Sequence, residues 1–244
     1  MRRRRVPILV LGSAALLAGA LVVGGCAQPD TPDTDQAAGD NTTPAASPTA
    51  TPTTDAEPTQ PPAPPPANEP TAPDVSHRVS YDWATPSDQV TIAHPAEIPL
   101  PYLVAVYVGD HPEGNPPYQR ISFYFREAFP EYNLQYVRSV LGEGTGTPIP
   151  LEGNAFLRVG FVNAMAHDEA GASTVERTPD TTIGFTNLKS YGSAGDFEGH
   201  VTYGLGIQVA PNSDQVLMVR AGELTKPDGS GGLYHVVYVD VETG

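Results

Sequence analysis

From Tyr102 onward, apolar and polar positions alternate in short runs broken by Gly, Pro, Asn and Asp. Tyr102–Val108 is a nearly unbroken run of β-branched and aromatic residues. Tyr118–Arg126 alternates strictly, with Ile121, Phe123 and Phe125 on one face. Tyr132–Arg138 alternates in the same way, with Tyr132, Leu134 and Tyr136 on one face. Further runs cover Phe156–Val162, Thr182–Tyr191, Asp196–Val209, Val216–Ala221 and Leu233–Val241. A period of two with turn residues between the runs predicts strands. The pattern predicts an all-β domain, an antiparallel β-sandwich, over residues 102–244. The only helical signal is a single turn near Ala164–Ala170.

The chain ahead of this region reads differently. Arg2–Arg5 are basic, Ile8–Val23 are apolar, and Val23-Gly24-Gly25-Cys26 has the form of a bacterial lipobox. Residues 1–25 therefore read as a lipoprotein signal peptide, and Cys26 as the lipidation site. Cys26 is the sole cysteine, so the exported domain is expected to rely on its core without disulfides. Residues 26–74 are built of Pro, Thr, Ala, Asp, Gln and Ser, and their low apolar content predicts a disordered linker. Proline biases such a chain towards polyproline II, with a fully extended reach on the order of 150 Å and a flexible-coil average nearer ~40 Å. Residues 75–101 form a transitional segment, with ordering expected around Tyr81, Trp83 and Ile92.

Charge narrows the choice of partners. The chain carries 13 basic and 28 acidic residues, a formal charge of −15. Removal of Arg2, Arg3, Arg4 and Arg5, with no acid, takes it to −19. Such a chain repels nucleic acid, whose binding depends on neutralised phosphates. A neutral glycan or a protein suits it better.

Several runs resemble the AMIN-like domain of actinobacterial envelope lipoproteins. They are Gly109-Asp110-His111 before the Arg120 strand, Pro130-x-Tyr132-x-x-x-Tyr136-Val137, and Gly144-x-Gly146-x-Pro148-x-x-Leu151-x-Gly153. Ala164-x-Ala166-His167-Asp168, Gly195–Gly206 and the closing Val236–Val241 strand continue the likeness. Gln119 stands where the family has an acid, and Leu233-Tyr234-His235 replaces a Pro-x-Arg lead-in. The resemblance implies a β-sandwich and a non-catalytic envelope-binding role, and it transfers no catalytic residue.

The residues themselves offer little chemistry. No nucleophile elbow, phosphate loop or zinc-helix motif occurs, so no enzyme activity and no cofactor are expected. If Asp196–Val209 is one strand, Asp196, Glu198 and His200 share a face and form a weak metal candidate. A solvated polar face opposite Phe197, Val201 and Tyr203 explains the same pattern. The tyrosines are the better lead, because their rings suit flat sugar faces. Tyr107, Arg120, Tyr124, Tyr136 and Tyr203 are the candidate ligand-binding residues; Arg120 also fits a structural ion pair. The expected protein is a lipoprotein anchored through Cys26 on the extracytoplasmic face of the cell membrane, binding peptidoglycan or another envelope glycan. A scaffold recruiting envelope enzymes and a metal-dependent hydrolase are the alternatives.

Overall fold

A computed structural model describes residues 72–211 and 215–243. The predicted signal peptide, Cys26 and nearly all of the predicted linker lie outside these residues. The described chain forms ten strands and no helix. They are β1 Ser76–Ala84, β2 Val90–Ile92, β3 Tyr102–His111, β4 Tyr118–Arg126 and β5 Glu131–Val137. Then come β6 Ala155–Val162, β7 Leu188–Phe197, β8 His200–Ile207, β9 Val219–Pro227 and β10 Leu233–Glu242. Two five-stranded sheets result, in the orders β1-β9-β10-β4-β3 and β2-β5-β6-β8-β7. Every strand pair in them is antiparallel. The all-β sandwich expected from the period of two is present.

The core lies between the sheets and follows the alternation. Ile121, Phe123 and Phe125 from β4 meet Leu157, Val159 and Phe161 from β6, all fully buried. Phe161 packs edge-on against both Phe123 and Phe125, at ring separations of 5.0 and 4.9 Å. Each such side chain contributes about 1.5–3 kcal/mol by leaving water, which lets the core hold without a cross-link.

The transitional segment is part of both sheets. β1 pairs with β9 and β2 with β5, so the segment clasps one side of the sandwich. Its fastening is Glu223, a carboxylate on the inner face of β9. Arg78 Nη2 donates to it at 2.7 Å, Ser80 Oγ at 3.0 Å and Tyr132 Oη at 3.0 Å, and His94 Nε2 lies 3.0 Å away. Burial pushes the Glu223 carboxyl up, but the bonds from His94, Arg78 and Ser80 outweigh it and hold the group below its ordinary value. A folded pKa below the unfolded one means stability that is present above about 4.5 and lost as pH falls through the folded pKa. In urea unfolding, Glu223→Gln should therefore fall furthest short of the native chain near neutral pH. The gap should close in acid; a gap independent of pH would contradict this account of Glu223. Burial also depresses His235, against a raising effect of Glu127, so its contribution fades as pH drops below about 6.5 in both proteins.

Three sequence expectations are corrected. Asp196–Val209 is not one strand: Glu198 and Gly199, at φ 50° and 76°, make the tight turn joining β7 to β8. The strand expected at Thr182–Tyr191 begins only at Leu188, because the chain reverses at Gly184 (φ 74°) and Ile183 N–H donates to Lys189 O. No helical turn forms at Ala164–Ala170. There the Asp168 carboxylate accepts the Ala170 and Ala172 amides at 2.9 Å and closes a loop instead.

Candidate functional site

Alternation that sends Ile121, Phe123 and Phe125 inward sends Tyr118, Arg120, Ser122, Tyr124 and Arg126 to the outer face of the β1-β9-β10-β4-β3 sheet. On β10, Val237, Val239 and Val241 point in, while Tyr234, Val236, Tyr238 and Asp240 point out. β3 adds Tyr107, which lies opposite Ser122. The outer face therefore carries its own small apolar cluster of Val104, Tyr107, Tyr124, Leu224, Val236 and Tyr238.

One end of this face is a groove of about 460 Å³. Tyr124 is its floor. Tyr107 packs edge-on against one side of Tyr124 at 4.8 Å, and Tyr234 against the other at 5.5 Å. Glu176 and Arg177 form one rim and Asp228 the other. The first rim is held because the Ala105 region bridges to Arg177, and Val106 N–H donates to Arg177 O at 2.8 Å. The second belongs to the β9–β10 hairpin. Bonds from the Ser230 hydroxyl and amide, and from the Gly232 amide, hold the Asp228 carboxyl below its ordinary range. A second depression, lined by Tyr102, Arg126 and Asp168, shares Val104 and Glu176 with the first and extends it along β3. Tyr107 and Tyr124 are buried, at 6% and 0% exposed, so Tyr234 is the ring that reaches solvent, and its setting between the rim carboxylates and Arg177 suits a ligand with flat apolar surfaces and peripheral hydroxyl or amide groups.

The other end of the face is cationic and aromatic. Asp240 is fully buried and receives Arg120 Nε at 2.6 Å and Arg220 Nη2 at 2.6 Å. Tyr238 lies 3.9 Å under the Arg120 guanidinium, and Trp83 lies 4.6 Å from that of Arg220. Tyr118 stands 5.2 Å from Arg120 and 5.1 Å from Arg220. Burial raises the Tyr238 hydroxyl to about 12, against the lowering effect of Arg120.

The structure brings together two of the five sequence candidates, Tyr107 and Tyr124, in the groove. Arg120 sits on the same face within the Asp240 ion pair. Tyr203 lies between the sheets, 5.1 Å from Phe123, with its hydroxyl pKa raised by burial. Tyr136 is half-buried, raised by burial in the same way, and donates to Leu217 O at 2.9 Å. Asp196, Glu198 and His200 do not share a face. Asp196 Oδ2 accepts the Ala166 amide and meets His167 Nδ1 at 2.6 Å, while Glu198 occupies the turn. Among the described residues no three His, Cys, Asp or Glu side chains group as a metal site. Phe197, expected on an apolar face, is 66% exposed at the end of β7. The rim residues Glu176, Arg177 and Asp228 escaped the sequence reading because they lie on loops without periodicity. Tyr234 was visible only as one tyrosine among many.

The family model of the AMIN-like domain matches residues 101–242. The chain belongs to the AMIN-like domain family. This AMIN-like domain comprises β3–β10, and both ends of the outer face fall within it apart from Trp83 of β1. Domains of this kind are envelope modules outside the cytoplasm. Comparison with the curated proteins and with the solved structures finds no match. In this AMIN-like domain, Gln119 is a buried acceptor on β4. Its Oε1 accepts the Asn187 and Leu188 amides at 2.9 and 2.8 Å, and its amide also donates to Asp110 at 3.2 Å, which a carboxylate would not do.

Proposed function

We propose that this AMIN-like protein is a non-catalytic, lipid-anchored envelope lipoprotein that binds peptidoglycan or another neutral envelope glycan in the tyrosine groove. The observation carrying this reading is the Tyr107–Tyr124–Tyr234 arrangement with its polar rim. Family membership, the Cys26 lipobox and the long Pro/Thr-rich linker support placement at the extracytoplasmic face of the membrane. The strong negative charge supports a neutral polymer over an anionic one.

The exported chain carrying Cys26→Ser, to keep it soluble, should sediment with purified sacculi. Tyr234→Ala should weaken that binding about five- to tenfold, the equivalent of about 1 kcal/mol from one aromatic contact. Sedimentation no greater than that of an unrelated acidic protein would remove the glycan reading.

One observation favours a scaffold as a second reading. β1 is the outermost strand of its sheet and its first four residues are exposed, so a partner strand could add there. Crosslinking in intact cells would then trap one defined protein even after the wall glycan is digested.

A further inference from the structure

We infer that the outer face carries a second sugar subsite at its Trp83, Tyr118 and Arg220 end, and that the ligand is a polysaccharide strand lying on this subsite and on the tyrosine groove together. The span rests on the groove being a glycan site, whereas the second subsite stands on its own geometry.

Three strands build the subsite. Ala84 of β1 is in register with Val219 of β9, which brings Trp83 to Arg220. Arg220 is in register with Asp240 of β10, and Asp240 with Arg120 of β4, beside Tyr118. The Trp83 and Tyr118 rings stand 6.2 Å apart and are tilted by 55°. The Arg220 guanidinium lies 4.6 Å from the first ring and 5.1 Å from the second. All three side chains reach solvent in part.

The arrangement is held from below. His111 stacks on Tyr118 at 4.6 Å. Asp240 accepts Arg220 Nε at 3.0 Å and Nη2 at 2.6 Å. Arg220 Nη1 and the Trp83 indole N–H donate to no group among the described residues. Two inclined rings with two available donors match a sugar, which offers an apolar ring face edged by hydroxyl oxygens.

The two ends are continuous. On β10 they are marked by Tyr234 and Asp240. At the strand rise per residue these lie about 20 Å apart. Between them, exposed His77 stacks on Tyr238 at 5.6 Å with the planes 13° apart, and its Nε2 meets the Tyr238 hydroxyl at 2.8 Å. Rings that reach solvent therefore run along the face from Tyr234 through His77 to Trp83 and Tyr118. A hexasaccharide covers that distance and a disaccharide does not. A chain of formal charge −15 accepts such a neutral polymer without repulsion. Trp83 belongs to β1, ahead of the matched residues 101–242, so the clasp adds a contact that the AMIN-like domain itself does not contain.

Trp83 is the only tryptophan, so its fluorescence reports on the subsite directly. The exported Cys26→Ser chain is titrated with the dimer and the hexamer of N-acetylglucosamine, following Trp83 emission and the NMR ring signals of Tyr234. The hexamer should move both signals with one Kd, about tenfold below that of the dimer. Tyr118→Ala should weaken the hexamer about five- to tenfold and leave the dimer unaffected at Tyr234. Tyr118→Leu, which keeps apolar packing, should show the same loss if the alanine variant fails to fold. A hexamer that shifts Tyr234 at the dimer's affinity, with Trp83 emission constant, overturns the second subsite and leaves the groove reading standing. Equal affinities for the two oligomers overturn the spanning strand. Emission that responds while Tyr234 does not keeps the subsite and removes the groove reading with the span. Silence of both signals removes both.

Discussion

Asp240→Asn is expected to destabilise the domain by about 3–5 kcal/mol, the usual consequence of removing one partner from a buried ion pair. Asp240 has no exposed surface, and two guanidinium groups, on β4 and β9, converge on it. Their remaining faces are turned to Tyr238, Tyr118 and Trp83, which interact with the cations but supply no neutralising charge. An asparagine of the same shape leaves two like charges facing each other and replaces an acceptor oxygen by a donor. The urea midpoint should fall with an unchanged slope. Adding Arg220→Gln to the Asn variant should recover part of the loss, because it removes one of the two cations that face the lost carboxylate. A loss under ~1 kcal/mol would show that the aromatic rings and water satisfy the arginines unaided.

Gly206→Ala should be comparably severe, for a steric reason. Gly206 lies within β8, where a methyl group would overlap the Glu152 carbonyl oxygen and come 2.5 Å from Ser190 Oγ. Neither obstacle can easily retreat. The Ser190 hydroxyl accepts the Glu152 amide at 2.7 Å and donates to the Glu152 carbonyl at 3.2 Å, binding the 150–154 segment to β7. Relief requires moving main chain, at a cost of about 3 kcal/mol or more, enough to abolish folding of a marginal domain. Gly144→Ala is the control: nothing lies within 4 Å of its added methyl, and the change should be within about 0.5 kcal/mol of neutral. Thermal unfolding of the two variants, or soluble yield where Gly206→Ala fails to fold, separates the cases. A Gly206→Ala protein as stable as Gly144→Ala would mean that the 150–154 segment is not packed as described.

Strand identity was legible wherever one face is buried and the other is not. Tyr118–Arg126 matches β4 at both ends, and the inward sets Ile121-Phe123-Phe125 and Tyr132-Leu134-Tyr136 pack against the core as the alternation predicts. Legibility failed where a turn lies inside an apolar run. Phe197-Glu198-Gly199-His200-Val201 reads as continuous strand, yet a positive φ at Glu198 and Gly199 reverses the chain and moves the carboxylates apart. The clasp was half legible: Tyr81, Trp83 and Ile92 marked order, but not that β1 and β2 join opposite sheets.

The sequence alone determined the strand faces, the all-β class and the family. Each of these depends on residue type at short spacing, which the chain carries locally. Only the tertiary structure decided which tyrosines meet. Tyr107, Tyr124 and Tyr234 come from three strands, and the chain order β3, β4, β10 becomes adjacency only through the pairing of β10 with β4 and of β4 with β3. Pairing of β10 with β4 on one side and with β9 on the other gives Asp240 its two arginines. Which residues become neighbours across a sheet depends on strand order and register, and no local pattern encodes the order in which distant strands assemble.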